Sequence, residues 1–198
     1  MKKIFPALQY ANIPNIITTL GLAFAVAACY FMVVSGDLRA TLICLSLAML
    51  MDSLDGFAAG KLDRQTSFGQ SLDSLVDFFV CCMMPVLMVF TFIGNDIALI
   101  ASAAFYCICG LWRLSYFNVT ASEKRSYFTG LPAPTASFIA AVTIWSTAAF
   151  ELPSWICAIA FGFAGLMMVS GFKLEKNGLW RKLVLVAGVV FWVVIVIS

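Results

Sequence analysis

The sequence predicts an all-α integral membrane protein with a six-helix transmembrane core, a seventh C-terminal span and a short N-terminal interfacial segment. Two observations carry this. Of 198 residues, 63% are hydrophobic and 11% charged, and the mean hydropathy of +1.00 lies outside the range of soluble globular chains. The polar residues are gathered into short stretches that divide apolar runs of roughly 20 residues, the length that crosses the hydrocarbon of a bilayer. No polar linker exceeds about a dozen residues and no period of about 20 to 50 residues repeats, so residues 1–198 read as a single membrane domain. A net charge of +2 without a basic stripe gives no sign of nucleic-acid binding.

Residues 2–12 place Phe5, Leu8 and Tyr10 at headgroup depth and Lys2 and Lys3 in water. No apolar core precedes Pro14 and no small-residue cleavage site follows, so this reads as a retained interfacial segment and not a signal peptide. The first span is expected from Asn15 to Val34, a turn at Ser35-Gly36-Asp37, and a second span from Leu38 to Ala59. After a polar loop from Lys61 to Thr66, Ser67 is the expected N-cap of a third span that ends near Phe92 and is kinked or loosened by Pro85. Gly94-Asn95-Asp96 turns the chain into a fourth span, Ile97 to Phe117, which ends in Trp112-Arg113-Leu114-Ser115-Tyr116. Asn118 to Thr129 reads as the longest polar loop, and Gly130 to Pro134 leads into a fifth span ending near Phe150. Glu151-Leu152-Pro153 precedes a sixth span, Ser154 to Ser170. Lys173, Lys176, Arg181 and Lys182 surround the link to a seventh, Leu183 to Ile197, which is long enough to cross only with Leu179 and Trp180. The seven cysteines lie in apolar segments without CxxC spacing or a histidine, and read as small hydrophobes.

Basic residues orient the bundle. With a cytoplasmic N-terminus, all of the 12 lysines and arginines except Arg39 fall at cytoplasmic ends. The membrane is then a cell inner membrane or its equivalent.

Against this background Asp52, Asp55, Asp73 and Asp77 stand out. An Asp at a membrane helix centre costs roughly 2.5 to 3.5 kcal/mol, so four facing lipid would cost about 10 to 14. Spacings of three and four put each pair on one helix face at the cytoplasmic end of its span. Two helices that present carboxylates, in a chain with no histidine, suit hard divalent cations such as magnesium, manganese or calcium. Two such ions about 3.5 to 4 Å apart can hold a diphosphate, neutralise a leaving phosphate and orient an incoming alcohol. Asp52, Asp55 and Asp73 are the expected ligands, while Asp77 is both a ligand and the catalytic base for that alcohol. Gly56, Ala59 and Gly69 lie in register with the acids, where small residues admit either a nucleotide or close helix contact. The alternatives are pairing of the acids with Lys61, Arg64 and Arg113, or an ion path.

The run Asp52-x2-Asp55-Gly56-x2-Ala59 followed by Gly69-x3-Asp73-x3-Asp77 closely resembles the signature of the CDP-alcohol phosphatidyltransferases. The likeness is nearest to the phosphatidylserine synthase branch. Ile13-Pro14-Asn15-x2-Thr18, Phe68 to Asp77, Pro85, Cys109-Gly110-x2-Arg113-Leu114-x2-Phe117-Asn118 and Tyr127-Phe128-Thr129-Gly130-Leu131-Pro132-x-Pro134 carry it over most of the chain. The resemblance implies a homodimeric six-helix enzyme with a dinuclear Mg2+ or Mn2+ site on Asp52, Asp55, Asp73 and Asp77. It further implies a nucleotide held near Asp52, Gly56, Ala59, Gly69 and Asp73, and attack by the serine hydroxyl on CDP-diacylglycerol with loss of CMP. Three positions depart: Gly60 and Tyr116 replace arginines, and Val80-Cys81-Cys82 replaces a Ser-Phe-Gly run. Arg113 and Lys61 remain to bind the acceptor carboxylate or a lipid phosphate. Another acceptor (inositol phosphate, glycerol phosphate or choline), a cation transporter and an inactive relative are the competing readings.

Overall fold

A computed structural model describes residues 6–61, 66–120, 127–175 and 179–197. Nearly all of them are helical. A short 3-10 turn, Pro6–Tyr10, precedes helix α1, Ile13–Ser35. Asn12 caps α1 by accepting from the Asn15 amide at 2.9 Å, and Pro14 lies in the first turn, where a missing N–H removes no helical bond. The last turn of α1, Phe31–Ser35, widens to a π-type turn and stops at Gly36, whose φ of 61° is left-handed. Helix α2, Leu38–Lys61, follows at once.

Helix α3, Ser67–Phe92, begins one residue earlier than expected in its capping. Thr66, not Ser67, has extended dihedrals, and its Oγ1 accepts from the Gly69 amide at 3.0 Å. Phe78–Met83 is a π-type stretch, and Pro85 sits in the first turn of the α-helix that resumes at Met84. The disturbance therefore lies upstream of Pro85 and not in the last turns. A proline leaves the carbonyl four residues back without its helical donor. Here that carbonyl is Cys81, and the buried Tyr106 hydroxyl donates to it at 2.7 Å.

Helices α4, Ile97–Thr120, α5, Ala133–Ala149, α6, Trp155–Val169, and α7, Leu179–Ile197, complete the bundle. Four helices, α1 to α4, are long and apolar enough to cross a membrane, while α5, α6 and Val186–Ile197 of α7 are shorter apolar helices. The stretch 118–129 is not all loop: α4 continues to Thr120, and strand β1, Tyr127–Thr129, pairs antiparallel with β2, Lys173–Glu175. Strands this short carry no alternation that a sequence pattern reveals. Just beyond β1, Gly130 has φ 75°, and its amide donates to Phe172 O at 2.7 Å, pinning the approach to α5. Lys2, Lys3, Arg64, Lys124, Arg125, Lys176 and the side chains of Lys61, Arg181 and Lys182 lie outside the described residues.

Helix α1 packs along α2 and against the start of α3, and α4 packs on α6. Tyr106 and Phe161 join α4 to α6 with ring centroids 5.0 Å apart. Phe191 of α7 meets Phe138 and Trp145 of α5 edge-on.

Candidate functional site

The acids converge where α1, α2 and the start of α3 meet. One oxygen from each of Asp52, Asp55 and Asp73 lies within 4.8 Å of the others. The Asp77 carboxyl completes the group, since it and Asp73 both approach Asp52 to hydrogen-bonding range. Thr18, Gly21, Met49, Val76, Val80 and Cys81 close the recess around them. Asp55 is 5% exposed. Its Oδ2 accepts from the Thr18 hydroxyl of α1.

Among the described residues, no lysine or arginine acts on any of the four carboxylates. Carboxylates gathered in an apolar bundle without a cation are costly. An all-oxygen donor set of this compactness fits hard divalent ions, and Asp52, Asp55, Asp73 and Asp77 are the residues able to hold them.

The small residues divide. A Cβ built on Gly56 would meet nothing within 4 Å, and the same holds for Gly60. Ala59 is half-buried on the same helix. Gly69, by contrast, faces α1: its Cβ would stand 2.8 Å from Asn15 Oδ1. Close helix contact accounts for Gly69, whereas the face at Gly56 is open.

Arg113 is not brought to the acids. Its guanidinium is buried beside Phe117, 5.8 Å from the ring centroid, and Nε donates to Leu131 O at 3.3 Å, at the junction of α4 with the approach to α5. Lys61 ends α2, and its side chain lies outside the described residues.

Sequence reasoning gave no site role to Thr18, Asn15 or Asn118. Asn15 and Thr18 stand three apart in an apolar helix, a polar pair that signals an internal partner. Asn15 Nδ2 donates to Tyr10 O at 2.8 Å, tying the 3-10 turn to α1, and Tyr10 stacks on Phe68 of α3 at 4.5 Å. Asn118 Oδ1 accepts from Ser74 at 2.9 Å and Gln70 at 3.3 Å, joining α4 to the turn that carries Asp73. The cysteines are free thiols and, as expected, half-buried or buried.

Fold and site together define a helical membrane protein that gathers carboxylates inside an apolar bundle. The CDP-alcohol phosphatidyltransferase family profile matches residues 11–194, and the chain belongs to that family. It is 32% identical over 150 residues to the archaetidylserine synthase of Methanothermobacter thermautotrophicus, a match covering 72% of this chain and 61% of that protein. It is also 32% identical over 130 residues to the CDP-diacylglycerol–serine O-phosphatidyltransferase of Methanocaldococcus jannaschii, covering 66% and 61%. The enzyme of that name from Bacillus subtilis is 28% identical over 144 residues, covering 69% and 75%. The chain thus spans about three-fifths of the length of the two archaeal relatives.

Proposed function

We propose that this protein transfers a phosphatidyl group from CDP-diacylglycerol to the hydroxyl of L-serine, releasing CMP, as a step of phospholipid biosynthesis. The observation that carries the reading is the convergence of four carboxylates with no basic partner among the described residues. The names of the relatives support serine as the acceptor.

In this reading Asp52, Asp55, Asp73 and Asp77 hold two divalent cations, Mg2+ or Mn2+. When bound, these ions neutralise the diphosphate and the departing CMP. Asp77 takes the proton of the serine hydroxyl as its oxygen bonds to the lipid-side phosphorus and the bond from that phosphorus to CMP breaks. The open backbone at Gly56, with Ala59 beside it and Asp52 and Asp73 behind, receives the nucleotide, and Gly69 lets α3 approach α1 to form its wall. Arg113 binds the serine carboxylate or a lipid phosphate. Lys61 is the second cation assigned to these anions. The distribution of basic residues supports a site at the cytoplasmic face, and the reading takes the chain as one domain with a second copy as its partner in a homodimer.

The test is CMP release by protein purified in detergent with CDP-diacylglycerol, Mg2+ or Mn2+, and a panel of alcohols. Release with serine alone is expected. Release with only another alcohol removes serine from the proposal, and no release with any alcohol removes the transferase. Gly60 lies in open space, so Gly60→Arg folds and reports whether the missing arginine limits the rate.

A further inference from the structure

Asp55 differs from the other three acids in having a hydroxyl assigned to it. Thr18, whose Oγ1 donates to Asp55 Oδ2, is 4% exposed and belongs to α1, a different helix from any of the acids. Pro14 O, at 3.1 Å from the same hydroxyl, is a second acceptor within reach. A hydroxyl has one proton, and the closer approach is to the carboxylate. No hydroxyl donor from the described residues serves Asp52, Asp73 or Asp77.

We infer that Thr18 is a positioning residue that occupies one oxygen of Asp55, leaves the other for a cation, and so biases the site toward small octahedral ions over calcium. The inference rests on the cation-binding reading above. Its physical basis is the geometry each ion accepts. Mg2+ requires near-octahedral coordination and binds through few carboxylate oxygens, whereas Ca2+ takes six to eight ligands and accepts both oxygens of one carboxylate. A carboxylate with Oδ2 engaged by Thr18 offers a single oxygen in a fixed direction. Without the hydroxyl, the Asp55 carboxyl is free to rotate and present both. Outer partners of this kind change metal affinity by about 10- to 100-fold.

The test measures Mn2+ binding by electron paramagnetic resonance on the full chain in detergent, with Mg2+ and Ca2+ as competitors. Thr18→Val removes the hydroxyl at nearly constant shape and Thr18→Ser retains it. Thr18→Cys serves if the valine variant does not fold. The valine or cysteine variant is expected to weaken Mn2+ about tenfold and to raise the ability of Ca2+ to displace Mn2+ relative to Mg2+. Thr18→Ser keeps the wild-type ratio. An unchanged ratio in the valine or cysteine variant overturns the inference, as does a serine variant that behaves like valine. Wild-type protein that binds no Mn2+ overturns the cation reading itself, a result distinct from both.

Discussion

The helices α1 to α3 at their acid-bearing ends and the helices α4 to α6 are built from nearly the same apolar residues and pack by different means. In the first region the contacts are polar: Thr18 on Asp55, Asn15 on Tyr10, and Asp52 beside Asp73 and Asp77. In the second, close packing predominates beside single bonds such as that from the Tyr106 hydroxyl to Cys81 O. Gly110 lies under Cys82, Gly165 under Phe105, and Tyr106 against Phe161. The contrast teaches that apolar helices without a solvent-driven hydrophobic force between them are held either by close backbone approach or by internal polar bonds. This chain gathers its carboxylates where chemistry is proposed. Helix α3 belongs to both regions, with Asp73 and Asp77 in the recess, Cys82 toward α4, and the π-type turns Phe78–Met83 between them.

The largest expected effect breaks the polar region alone. Asp77→Asn is expected to reduce CMP release by at least about 10²-fold, the usual contribution of a general base. Without added metal its thermal midpoint should stay near wild type, because asparagine keeps the shape of the carboxyl it replaces in the recess. A variant that releases CMP at the wild-type rate would remove Asp77 from the mechanism.

Gly110→Val breaks the packed region alone. Its Cβ would collide with the Cys82 side chain, so overpacking should cost about 1 to 3 kcal/mol, read as a lower melting midpoint in detergent. Activity per folded molecule should fall far less than for Asp77→Asn. Tyr106→Phe sharpens the comparison with a single atom. It strips the donor from Cys81 O beside Pro85 and should cost about 1 to 3 kcal/mol, with the peptide carbonyl left unpaired.

The smallest effect lies outside both regions, at the turn before α4. The Ser154 hydroxyl and the Leu99 amide hold the Asp96 carboxyl below its ordinary value of 3.8. A carboxyl lowered on folding contributes stability that is present above about pH 4 and lost as pH falls through the folded value. Asp96→Asn should flatten the melting midpoint below that pH and change little at neutrality, which melting curves across pH 3 to 7 would check.

The four long helices were legible because a bilayer imposes a length and a polarity on every crossing segment. Helix α3 matches its expected limits, Ser67 to Phe92, and α2 exceeds its own by two residues, ending at Lys61. The site was legible at its acids because four carboxylates have so few tolerable arrangements in an apolar bundle. Thr18 was not, since a threonine in an apolar helix ordinarily satisfies itself on the carbonyl one turn back, as Thr19 does on Asn15 O at 2.7 Å. For Arg113 the sequence suggested an anion-binding role or pairing with the acids, and its bond to the Leu131 carbonyl, 18 residues away, depends on how α4 meets the approach to α5.

The sequence by itself determined that the chain is helical, that four of its apolar segments are long enough to cross a membrane, and that Asp52, Asp55, Asp73 and Asp77 share an interior. Periodicity and transfer cost act along the chain and need no partner. Only the tertiary structure decided that α1 supplies a hydroxyl to Asp55, that Gly69 faces Asn15 while Gly56 stays open, and that β1 finds β2. Each of these depends on the distance between groups far apart in sequence. That distance is set by how whole helices pack.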